Sequence, residues 1–90
     1  MGWVCRLDAR AEKALRRFDH QSRERIRDFI DNRLLALPDP TLLGKPLKGN
    51  LSGCYSYRVG DYRLICQVND KELLILVIYV AHRKDVYKDC

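Results

Sequence analysis

Tyr55-Ser56-Tyr57-Arg58-Val59-Gly60-Asp61-Tyr62-Arg63-Leu64-Ile65 is the stretch that decides the fold of this chain. Apolar and polar side chains alternate on either side of Gly60-Asp61, and a two-residue loop whose glycine tolerates positive φ predicts a tight β-hairpin. Val59 and Tyr62 then close the ladder, and Arg58 faces Arg63. Like charges opposed across strands destabilise a sheet by a few tenths to about 1 kcal/mol, so two guanidiniums in that position imply an anion held between them. The alternative is an outer face carrying two solvated arginines with no ligand.

Parity assigns the faces of this hairpin, because residues two apart share a side of the sheet. Tyr55, Tyr57, Val59, Tyr62, Leu64, Cys66 and Val68 form an apolar side for helices to cover, while Ser56, Arg58, Arg63, Ile65 and Gln67 lie on the other. A turn near Asn69-Asp70-Lys71 leads into a third strand over 72–81, completing an antiparallel meander. Leu73 to Val80 is apolar at nearly every position, which predicts a strand covered on both faces, with Leu74, Leu76 and Ile78 lining the polar concavity.

Upstream, Trp3-Val4-Cys5-Arg6-Leu7 alternates as a short strand, and Asp8 is placed to cap a helix carrying Ala11, Ala14, Leu15 and Phe18 on one face. Asp19 opens a second helix whose stripe of Ile26, Phe29, Ile30, Leu34 and Leu37 runs to Pro38 and Pro40. Its arginines, among them Arg23, Arg25, Arg27 and Arg33, alternate with Glu24, Asp28 and Asp31 as a solvated face. Residues 41–53 read as an ordered loop pinned by Leu42, Leu43, Leu47 and Leu51, exposing Lys45 and Lys48. The expected fold is α+β, βααβββ, with a mainly antiparallel four-stranded sheet and two N-terminal helices packed on one face, in a single domain over 1–90.

Seventeen Lys and Arg against twelve Asp and Glu leave a net charge of +5, which favours a polyanionic partner without choosing among RNA, DNA, ribosomes and acidic proteins. Cys5, Cys54, Cys66 and Cys90 show no Cys-x-x-Cys spacing, and His20 and His82 lie in unrelated contexts, so a structural zinc site is not expected. Cys54 and Cys66 fall on opposite sheet faces and cannot bridge, which fits reduced thiols in a cytosol. No leader is expected at the N-terminus, and the longest apolar run, Leu73 to Ala81, is too short to cross a bilayer. The expectation is a soluble, cytoplasmic protein with no membrane partner.

The order of elements, the Lys48-Gly49 loop, the Tyr-x-Tyr-Arg-Val-Gly-Asp-Tyr-Arg hairpin and the later His82-Arg83-Lys84-Asp85-Val86-Tyr87 together resemble the RelE branch of the RelE/ParE toxin superfamily. The resemblance covers nearly the whole chain. It implies a type II toxin that cleaves mRNA in the ribosomal decoding site without metal or other cofactor. It also implies silencing by a co-expressed, RelB-like antitoxin in a toxin–antitoxin hetero-oligomer.

It further implies that Arg58, Arg63 and Arg83 hold the scissile phosphate and that Tyr87 takes part in proton transfer. A phenol ordinarily titrates near about 10, so Tyr87 needs the arginine field to act as a base; the alternative is a packed aromatic. His82 is the other proton-transfer candidate, imidazole being the side chain that changes charge near neutral pH, and strand parity puts it on the Arg63 side. Otherwise it is a strand-end histidine bonded to backbone or RNA. Lys45, Lys48, Ser56 and Lys84 complete the expected RNA-binding set. Ser56 departs from the family, which commonly carries lysine or arginine there, and Lys48 or Lys84 would have to replace that cation. Two rivals remain: a ParE-like inhibitor of DNA gyrase, and a non-catalytic module that binds nucleic acid or antitoxin.

Overall fold

A computed structural model describes residues 2–82; Arg83, Lys84, Tyr87 and Cys90 lie outside the described residues. Five strands, β1 (Val4–Leu7), β2 (Lys45–Pro46), β3 (Cys54–Val59), β4 (Tyr62–Asn69) and β5 (Leu74–His82), form one sheet in the order β1-β5-β4-β3-β2. β3, β4 and β5 make the expected antiparallel meander, β2 pairs antiparallel to β3, and β1 lies parallel to β5. The class is α+β as expected, with one strand more than the sequence implied.

The two helices form where the sequence places their signals. Asp8 accepts a hydrogen bond from the Arg10 backbone N–H at 2.8 Å and starts α1 (Ala9–Arg17), whose Ala11 is fully buried. α2 (His20–Phe29) starts at Asp19, which accepts from Ser22 Oγ instead of capping the backbone; that hydrogen bond lowers the Asp19 pKa.

The second helix does not stay regular to Pro38. Ile30–Leu34 forms a π-helical turn, with the Leu35 N–H donating to Ile30 O at 2.9 Å. In an uninterrupted α-helix, position 33 falls seven residues after Ile26 and would aim a guanidinium along the apolar stripe. The wider turn buries Leu34 completely and leaves Arg33 exposed, its guanidinium carbon 6.0 Å from the Phe29 ring centroid. Ile26, Phe29, Ile30 and Leu34 thereby pack with Tyr57, Val59, Leu64, Cys66, Ile75, Val77 and Val80 of the sheet in one core. Each large side chain so buried contributes on the order of 1.5–3 kcal/mol.

The fifth strand comes from the segment expected to be loop, and of its four expected anchors only Leu47 is half-buried. Leu42 is 79 % exposed, and Leu43 and Leu51 are also exposed. Pro40 is fully buried instead, and the Tyr57 hydroxyl donates to its carbonyl at 2.9 Å. Gly44 lies so close to the Tyr57 ring that a Cβ there would stand 2.8 Å from it. With the backbone fixed on that ring, Lys45 pairs with Ser56 and Pro46 with Tyr55, and beyond the proline the Leu47 N–H still donates to Cys54 O at 3.0 Å.

β5 also departs from strict alternation. It starts at Leu74, following a turn in which Asn69 Oδ1 accepts from the N–H groups of Lys71 and Glu72 and Leu73 takes φ 52°. Against β4, Cys66 pairs with Val77 but Ile65 pairs with Tyr79, so Ile78 is the extra residue of a β-bulge. Every residue beyond it is on the face opposite to that predicted by parity.

Candidate phosphate-binding face

Helices cover one side of the sheet, and the charged side chains of the hairpin occupy the other. Gly60 takes φ 58° at the turn, Val59 pairs with Tyr62, and Arg58 lies directly opposite Arg63, all as the sequence predicts. Directly opposed residues have Cβ atoms about 4.5–5.5 Å apart, so the two guanidiniums can converge on one anion. Arg58 is exposed and Arg63 half-buried; among the described residues neither is ion-paired to a carboxylate. Two adjacent, uncompensated guanidiniums create the positive potential that a phosphodiester would neutralise.

The remaining candidates divide by register. Ser56 lies on the Arg58 face, opposite Ile65 in β4 and Lys45 in β2, so Lys45 is the described lysine aligned with this row. Lys48 stands further along, exposed at the start of the 3-10 turn Gly49–Leu51. Arg83, Lys84 and Tyr87 lie outside the described residues.

His82 requires a correction. The bulge at Ile78 reverses parity, so His82 pairs with Tyr62 and projects to the helix side, while Ala81 pairs with Arg63. The His82 ring stands perpendicular to that of Tyr62 with centroids 5.2 Å apart. Tyr62 stacks obliquely on Phe18 at 4.7 Å and donates its hydroxyl to Ser22 Oγ at 2.9 Å. The imidazole therefore belongs to a cluster that fastens the end of β5 to both helices.

The same bulge brings forward a residue that alternation hides. Tyr79, in place of Ile78, takes the position opposite Ile65 on the arginine face. Arg25 was also missed. Read as part of a solvated helix face, it extends to the hairpin tip, where its Nη1 lies 3.1 Å from the position of a Cβ on Gly60.

The thiols and the buried phenol do not supply a nucleophile or base. Burial, with a smaller contribution from Asp31, pushes Cys5 up to about 11, and burial raises Cys66 and Tyr57 further. Cys5 lines a groove of about 210 Å³ between β1 and the helices, rimmed by Arg23, Arg27 and Asp31 and turned away from the arginine face. Cys5, Cys54 and Cys66 are free thiols, and among the described residues no three His, Cys, Asp or Glu side chains cluster to share a metal ion. Among those residues no helix is long and apolar enough to cross a membrane.

The family model for the ParE toxin of type II toxin–antitoxin systems, parDE, matches residues 5–87, and the chain belongs to this family. It is a RelE-like toxin of the RelE/ParE superfamily. Toxin RelE of Mycobacterium tuberculosis is 32% identical over 82 residues, covering 91% of this chain and 82% of that protein. Toxin RelG of the same organism is 38% identical over 50 residues, which span 56% of this chain and 58% of RelG's length. The toxin–antitoxin complex RelBE2 from M. tuberculosis superposes with a TM-score of 0.83 at 26% identity, covering 92% of this chain and 100% of that one. The isolated E. coli RelE toxin superposes at 0.69 with 26% identity, over 97% of this chain and 93% of its own.

Proposed function

We propose that this toxin is a ribosome-dependent, metal-independent mRNA endoribonuclease acting in the cytoplasm. The observation that carries this reading is the Arg58–Arg63 pair, set face to face on the side of the sheet away from the helices, with no carboxylate ion-paired to either among the described residues. Cleavage proceeds by attack of a ribose 2′-oxygen on the adjacent phosphorus, giving a cyclic phosphate and expelling the 5′-oxygen of the next nucleotide. One proton must leave the 2′-hydroxyl and one must reach the 5′-oxygen, while charge grows on the non-bridging oxygens.

Arg58 and Arg63 hold those oxygens, with Arg83 as the third cation from the segment that follows β5. Arginine keeps its charge at any working pH and does not accept the proton. Tyr87 takes it from the 2′-hydroxyl, its phenolate favoured by the guanidiniums. His82, on the helix side, positions the strand end from which Arg83 departs. Lys45, Lys48 and Lys84 contact flanking backbone, and Ser56 offers it a hydroxyl.

So few groups do not align a flexible strand for in-line attack, which gives the ribosome its role as the scaffold that orients the message. Neutralisation falls to an acidic, RelB-like antitoxin that folds over the cationic surface in a hetero-oligomer; the structural neighbour RelBE2 of M. tuberculosis is itself a toxin–antitoxin complex. Induction followed by mapping of message 5′ ends tests this function: cuts should appear within translated frames, and naked RNA should stay intact. The family model's ParE description supports a second reading, inhibition of DNA gyrase. Supercoiling blocked by the purified toxin, with message left whole, would establish that reading in place of the first.

A further inference from the structure

We propose that Tyr79 and Ile65 form a nucleobase platform beside the arginine pair, seating a base of single-stranded RNA next to the phosphate that Arg58 and Arg63 hold. The platform presupposes the RNA-cleaving activity proposed above and adds a binding subsite to it. The β-bulge at Ile78 is its structural cause, because it turns Tyr79 onto the arginine face opposite Ile65. Arg63 pairs with Ala81, two residues beyond Tyr79 on the same strand, so Tyr79 is the diagonal neighbour of Arg63. Such neighbours lie about 7–8 Å apart, within reach of an aromatic and a long side chain directed at one nucleotide.

The chemistry of the row favours a base over another phosphate. Reading across the sheet, it runs Lys45, Ser56, Ile65, Tyr79: one edge cation, a small hydroxyl, an aliphatic side chain and a phenol ring. Ile65, Ser56 and Tyr79 are each half-buried, neither sealed in the core nor fully in solvent. Proteins that bind single strands combine cations along the backbone with aromatic rings on which bases stack, and an apolar neighbour broadens such a ring into a surface. Arg58, Arg63 and Lys45 supply the charge complementarity that selects a polyanion as the occupant.

The test uses the full toxin with Tyr79→Ala, Tyr79→Phe and Tyr79→Trp, their melting temperatures recorded alongside wild type. A single-stranded RNA carrying 2-aminopurine reports stacking by quenched fluorescence, and message 5′ ends report site choice. Stacking predicts that Tyr79→Ala weakens binding by about tenfold or more, abolishes the quench and alters which sites are cut. Phe and Trp should retain all three. Wild-type binding and an unchanged cleavage map in Tyr79→Ala would overturn the platform while leaving the nuclease intact. A Phe variant as defective as Ala would overturn stacking in favour of a hydroxyl contact. Loss of antitoxin binding with RNA binding unchanged would assign the face to protein. A wild-type toxin that cuts no message would bring down the nuclease and the platform together.

Discussion

His82 and Tyr62 meet at right angles, their ring centroids 5.2 Å apart and their planes at 88°, on the side of the sheet that faces the helices. Contact of this kind contributes about 0.5–1.5 kcal/mol beyond the area it buries. His82→Ala is therefore expected to lower stability by about that amount, and message cleavage should persist wherever the variant is folded. Denaturation curves measured beside cleavage assays decide this. A fully stable but inactive His82→Ala would return the imidazole to the proton path.

Tyr57 holds the loop that carries Lys45. Tyr57→Phe leaves the buried Pro40 carbonyl without its 2.9 Å donor, an expected loss of about 1–3 kcal/mol. Gly44→Ala presses a methyl group to 2.8 Å from the same ring, with a cost of about 1–3 kcal/mol from overpacking. Urea midpoints should fall in both. An unshifted midpoint in Gly44→Ala would mean that β2 is not seated on Tyr57.

Thiol reactivity should reflect burial. With Cys5 raised from 9.0 to about 11, its thiolate fraction at pH 8 is about a hundredfold below that of a free thiol, so alkylation followed by peptide mapping should find it slow in the folded protein. The unfolded chain loses this proton first. The thiol's contribution to stability is thus complete below pH 9 and declines as pH rises toward 11. Asp31→Asn removes the lesser cause and should speed the reaction. Alkylation of folded protein at the free-thiol rate would contradict the burial.

Ser56→Lys adds a cation beside Lys45 on the face that carries Arg58 and Arg63. Affinity for single-stranded RNA should rise, and log K against log salt should steepen by about 0.7 for the added phosphate contact. Arg58→Ala should flatten that slope by a similar amount. Salt titrations of fluorescent RNA binding read both; unchanged slopes would place the phosphates on another surface.

The hairpin register was legible because Gly60-Asp61 fixes loop length, and loop length fixes parity; Arg58 opposite Arg63 follows without further information. The Asp8 cap and the stripe from Ile26 to Leu34 were legible for the same local reason. His82 was misplaced because β5 is apolar almost throughout, so nothing in its alternation marks Ile78 as the bulged residue. β2 was hidden because its two residues depend on Gly44 meeting Tyr57, a contact between distant segments. Arg25 was hidden because a helix periodicity does not disclose which cation the hairpin tip will meet.

The central claim is that Arg58 and Arg63 jointly stabilise the charge on a phosphorus under attack. Its most direct test is single-turnover cleavage of message in the A site of programmed ribosomes, comparing wild type with Arg63→Ala at matched foldedness and saturating toxin. Removal of one transition-state donor should slow the cut by about 100- to 1000-fold. Wild-type cleavage by Arg63→Ala, or by the Arg58→Ala, Arg63→Ala double variant, would contradict the account.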